Sequence, residues 1–183
     1  TQQDYILSNT NSTSRPASTN INDGDVFTFI NTTAYKYYVL HITANNGDLT
    51  YVEINDWGLY GDKPSEETLA GAETNNISGN FTLTGSTTLV ASTYGSLPNL
   101  YDNQINGNTT TSGYITQLVV LTKNTNDYNS GWFLNYAFTN AQVVNKYRIW
   151  ARPDAGDVIP TGQQPVNWEL QGSNDGSTYT SLH

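Results

Sequence analysis

The chain has no cysteine and no methionine, and only 7 lysines and arginines stand against 16 aspartates and glutamates. The missing cysteine excludes disulfides and thiolate metal sites and leaves the redox compartment open. With so few cations and a net charge of −9, the electrostatic footprint needed to hold nucleic-acid phosphates is absent. No apolar run approaches the roughly 20 residues of a membrane-spanning helix. No leader-like segment is present, so the sequence reads as mature or excised from something larger. Histidines number 2, His41 and His183. There is no Gly-x-Ser-x-Gly elbow, no phosphate loop and no His-x-x-x-His pair. The Glu66–Glu67 pair falls in polar sequence where nothing would tune a carboxyl pKa. An enzymatic role is not expected.

What the chain does have is asparagine, threonine, serine and tyrosine. Aromatics make up 12% of it, with 13 tyrosines against 4 tryptophans and 5 phenylalanines. Such a mixture suits short twisted strands with polar outer faces, joined by long surface loops. It is the composition of an extracellular, cell-surface or virion-surface β protein. At 183 residues the natural expectation is one domain with enough chain for a two-sheet core.

The pattern of alternation supports this. Val26–Ile30 reads as a strand after the Asp23-Gly24 turn. Tyr35–Thr43 alternates, with Tyr38, Leu40 and Ile42 on one face and Tyr37, Val39 and His41 on the other. Leu49–Ile54 and Trp57–Tyr60 follow the Asn-Asn-Gly-Asp loop and form the next edge. Residues 62–75 differ: Pro64 and the Ser65-Glu66-Glu67 run are compatible with a short capped helix or with a linker. Beyond them, Phe81, Leu83 and Leu89-Val90, broken at Gly85, then Leu118–Leu121, Trp132–Phe138 and Val143–Ala151 return to strand patterning. At the C-terminal end Trp168, Leu170 and Gly172 alternate with polar residues. Ser173-Asn-Asp-Gly176 is then a tight turn, and a second strand begins near Tyr179.

The segment PVNWELQGSNDGSTYTSL (165–182) resembles the W-x-L-x-G-S-N-D-G-x-x-W-x-x-L segment of the discoidin family, the coagulation-factor C-type, galactose-binding-like β-sandwiches. Two further segments of that family lie at the other end of this chain, as FINTTAYKYYVLHI (29–42) and INDWGLYG (54–61). The resemblance therefore implies an all-β, discoidin-like jelly-roll sandwich with its segments in circularly permuted order. Residues 1–61 correspond to the family's C-terminal half, 62–75 to a linker or short helix, and 76–183 to its N-terminal half. Three readings of that order stand side by side: a true permutant, one period of a tandem repeat array, and strand exchange between neighbouring copies.

The resemblance also implies where ligands would sit. A structural Ca²⁺ would take Asp102 and Asp56, with Asn106 and Asn108 next, because oxygen ligands at irregular loop spacing suit a hard cation. Two departures stand out: Asp56 replaces the family's glutamate, and Asp102-Asn103 replaces its Asp-Gly. The same stretch also reads as an Asx-rich turn bonded to its own backbone. Sugar would bind at loops at one end of the sandwich, through Arg152, Asp154 and Asp157 with Trp150 as aromatic platform and Tyr128 and Asn129 beside them. Arg152 also reads as a plain surface pair with Asp154 or Asp157. Trp132 and Trp168 match packing positions, and Trp57 is open between packing and platform. Asn11, Asn31, Asn76, Asn80 and Asn108 each begin a glycosylation sequon.

The sequence thus points to a binding or adhesion module whose partner is a glycan or glycoconjugate, without nucleic acid or membrane span. The rival expectation is a structural subunit of a fibre, filament or capsid decoration that pairs with copies of itself.

Overall fold

A computed structural model of the chain describes residues 25–45, 47–54, 56–61, 68–70, 81–85, 119–123, 130–150 and 163–183. Among the described residues the strands are β1 (Asp25–Thr28), β2 (Tyr35–Asn45), β3 (Tyr51–Ile54), β4 (Asp56–Gly61), β5 (Thr68–Ala70), β6 (Phe81–Gly85), β7 (Val119–Thr122), β8 (Trp132–Gln142), β9 (Val144–Trp150), β10 (Pro165–Ser173) and β11 (Thr180–Ser181). None of the described residues is helical. A five-stranded sheet runs β11-β10-β2-β8-β6, a four-stranded sheet runs β1-β9-β4-β5, and β3 pairs with β7. Every pairing is antiparallel.

The two larger sheets form a sandwich-like arrangement around the residues that alternation assigns inward. Tyr38, Leu40 and Ile42 of β2, Leu134, Tyr136 and Phe138 of β8, and Trp168 and Leu170 of β10 are buried from the five-stranded sheet. Trp57 and Leu59 of β4 and Tyr147 and Ile149 of β9 meet them from the other. The Trp57 and Tyr136 rings stack 4.7 Å apart, and the Tyr136 hydroxyl donates to the Trp57 carbonyl at 3.0 Å. Burying each of these large side chains contributes about 1.5–3 kcal/mol. Trp57 is therefore a packing residue, as are Trp132 and Trp168.

The C-terminal hairpin forms where Asp-Gly predicts it. Gly176 sits at φ 74°, in the left-handed region that glycine enters without a Cβ penalty. Asp175 Oδ1 accepts the amides of Ser177 and Thr178 at 2.8 and 2.7 Å, while Ser173 Oγ accepts that of Gly176 at 3.0 Å. The two backbone bonds to Asp175, the Thr178 one the stronger, hold its carboxyl well below the usual carboxylate range. Asn174 then fastens the turn to the start of β2: its Oδ1 accepts the Lys36 amide at 2.9 Å and its Nδ2 donates to the Ala34 carbonyl at 3.1 Å.

Two expectations need correction, and residues 62–75 add a strand that neither reading of them named. In the 62–75 stretch, Thr68–Ala70 is extended and adds to β4, Leu59 opposite Ala70 and Tyr60 opposite Thr68. The Ser65-Glu66-Glu67 run itself lies outside the described residues. Leu49 does not open a strand, since it is 86% exposed and β3 starts at Tyr51. Asp48 Oδ1 captures the Thr50 and Tyr51 amides at 2.7 and 2.8 Å and turns the chain there instead. Finally, β3 and β4 do not share one edge: β3 pairs with β7, whereas β4 lies inside its sheet between β9 and β5.

Candidate functional site

Successive antiparallel strands alternate their ends, so the end of the sandwich where β8 starts is also where β9 stops and β4 starts. Asp56, the first residue of β4, lies directly opposite Trp150, the last of β9. The acidic residue assigned to calcium and the aromatic assigned to sugar are thus neighbours in one ladder; only their backbones are described. Arg152, Asp154, Asp157, Tyr128, Asn129, Asp102, Asn106 and Asn108 lie outside the described residues. Among the described residues no three His, Cys, Asp or Glu side chains gather in a way that would hold a metal ion.

The frame next to that pair is rigidly built. Asn45 Nδ2 donates to the Tyr51 carbonyl at 2.7 Å, closing the β2–β3 loop. Asp48 completes the loop and also accepts Gln163 Nε2 at 3.2 Å. Amide donation from Thr50 and then Tyr51 stabilises the Asp48 carboxylate and lowers its pKa. Trp132 Nε1 and the Lys123 amide both donate to the Thr50 carbonyl, at 2.9 and 2.8 Å, which ties the starts of β3 and β8 together. The Glu53 amide donates to the Gln163 carbonyl at 2.9 Å and brings β10's first residues against β3.

Beside that contact the structure shows something the sequence does not signal. Gln164 is 1% exposed, and neither its Nε2 nor its Oε1 has a hydrogen-bond partner among the described residues. A primary amide offers two donors and an acceptor with two lone pairs, so the start of β10 holds unused polar capacity among the described residues. A glutamine beside a proline at the start of a strand carries no pattern that would have marked it.

A second place is the outer face of the five-stranded sheet. Val39 of β2 lies opposite Asn135 of β8 and Gln171 of β10, and His41 lies opposite Phe133 and Glu169. Here the sequence holds a readable signal: Phe133 falls on the outward side of β8, between the buried Trp132 and Leu134. His41 Nε2 lies 3.2 Å from the Ser130 carbonyl. A carbonyl only accepts, so this bond needs a proton on Nε2. The chain matches no protein-family model, and comparison with curated proteins finds no match.

Proposed function

We infer that the chain is a non-enzymatic, discoidin-like binding module of an extracellular or virion surface, which takes carbohydrate at the end of the sandwich where β9 stops and β4 starts. The observation that carries this reading is the register of Asp56 with Trp150. The segment leaving Trp150 for β10 contains Arg152, Asp154 and Asp157, and the segment leading into β8 contains Tyr128 and Asn129. An aromatic platform flanked by a guanidinium and carboxylates is the chemistry that grips ring hydroxyls. A structural Ca²⁺ held by Asp56, Asp102, Asn106 and Asn108 would fix the same loops.

The permuted jelly-roll order is supported by how the two ends of the chain interleave. β2 lies between β10 and β8, and β4 pairs with β9, so residues 25–61 complete sheets begun by residues 119–183. In this reading the closed single chain is the binding unit.

A glycan array probed with and without calcium tests the function. Binding that is lost in Trp150→Ala and Arg152→Ala, with melting temperature unchanged, is the expected result. Silence across a broad array under both conditions would overturn it and leave the assembly role, which light scattering over a dilution series would then reveal as filaments or open-ended oligomers.

A further inference from the structure

We propose that the outer face of the five-stranded sheet carries a second ligand pocket, which takes one ring of a neutral saccharide. Side chains that point outward from three adjacent strands stand on one surface. Val39, His41, Phe133, Asn135 and Gln171 do so here, and Tyr179 closes one side, leaving a cavity of about 70 Å³. That volume admits the edge of a ring with the remainder left in solvent.

The walls are set in advance of any ligand. Tyr179 follows directly on the hairpin turn, its hydroxyl donates to the Gly176 carbonyl at 3.2 Å, and the turn itself is clamped by Asp175 and Ser173. Gly176 faces the Tyr37 ring, where a Cβ would stand in ordinary contact at 3.4 Å, so it is the positive φ that calls for glycine. On the far side Asn135 donates to Thr84 Oγ1 at 3.3 Å. Rigid aromatic walls reduce the ordering cost of binding.

The chemistry of the lining selects the ligand. Phe133, Tyr179 and Val39 offer apolar surface for the C–H face of a pyranose, while the Asn135 and Gln171 amides and the His41 ring offer donors and acceptors for its hydroxyls. Among the described residues no lysine or arginine lines the cavity, and the carboxylate in register beside it, Glu169, already accepts Gln171 Nε2 at 2.8 Å. With a chain charge of −9, an anionic ligand would meet repulsion, and none of the described lining residues is a cation that would offset it.

This pocket lies on the sheet face and does not depend on the reading of the loop end. NMR of the isotope-labelled protein, titrated separately with methyl glucoside, methyl galactoside, methyl mannoside and N-acetylglucosamine to millimolar concentration, tests it. For at least one sugar, saturable shifts are expected at the Asn135 and Gln171 side-chain amides and at the Tyr179 backbone amide. They are expected to disappear in Gln171→Ala and in Tyr179→Ala, with the remaining spectrum preserved, and to persist in Arg152→Ala. Three results would each overturn the proposal: no saturable shift with any of the sugars, shifts that survive both pocket variants, or saturation by tetramethylammonium or sulfate instead.

Discussion

The Tyr38 hydroxyl accepts the Val144 amide at 3.1 Å and donates to the Gln142 carbonyl at 2.8 Å, so one side chain of β2 holds both sides of the β8–β9 connection. Burial comes first among the causes that raise its pKa, and the neutral phenol is the form that makes both bonds. Tyr38→Phe keeps the ring but strands a buried amide. The expected loss is about 1–3 kcal/mol, read as a lower urea midpoint with an unchanged slope. An unchanged midpoint would show that the hydroxyl is dispensable.

Tyr147 sits at the centre of a second polar chain. Trp168 Nε1 donates to its hydroxyl at 3.0 Å, and the hydroxyl lies 2.9 Å from His183 Nδ1. In the neutral tautomer that carries its proton on Nε2, His183 accepts from the Tyr147 hydroxyl, and protonating Nδ1 removes that acceptor. Burial lowers the His183 pKa from its ordinary 6.5. The unfolded chain then binds the proton more readily, so stability is full above about 6.5 and falls as pH drops through that value toward the lowered one. Melting temperature should therefore decline between neutral and mildly acidic buffer, and the decline should flatten in His183→Phe. An equal slope in both proteins would refute the assignment.

Calcium gives a prediction with its own readout. At free calcium a hundredfold above Kd, a site present only in the folded state adds about 2.7 kcal/mol, on the order of 5–10 °C for a chain of this size. Chelation should lower the melting temperature by such an amount, and Asp102→Ala should abolish the response. Identical melting curves with and without chelator would remove calcium from the account.

Asn31 begins a sequon, but the fold has already committed its amide. Nδ2 donates to the Val144 carbonyl at 2.9 Å and to the Thr33 carbonyl at 3.0 Å, and Oδ1 accepts the Thr33 amide at 2.9 Å. A glycan on Nδ2 would displace one of those bonds. Expressed in a glycosylating host and mapped by peptide mass, the folded protein should carry Asn31 unmodified. Quantitative occupancy there would mean that glycan transfer precedes closure of this contact.

Much of this architecture is legible in residues that alternate. Tyr38, Leu40 and Ile42 announce an inward face, and Asp175-Gly176 announces a hairpin, because a period of two and a required positive φ are local properties. Tyr51 as the true start of β3 is not legible. Its strand is set by which amides Asp48 captures, and many neighbouring residues offer similar oxygens. Thr68–Ala70 hides for another reason: its strand exists through pairing with β4, which local propensity does not encode. At the candidate sites, Trp150 and Arg152 stand out by residue type. Gln171 and Asn135 do not, because amides are common throughout this sequence and only register brings these two to one cavity.

The position of β2 has a consequence for how the chain reaches its native state. Its ladder partners arrive late in synthesis, and Asn174 closes contacts over separations of 138 and 140 residues. The entropy of such long closures must be lost before the sheet returns any energy, which slows folding. On the ribosome, β2 would emerge with both edges unfilled and wait for β8 and then β10. During that interval its inward row, Tyr38, Leu40 and Ile42, is the surface a chaperone would have to shield.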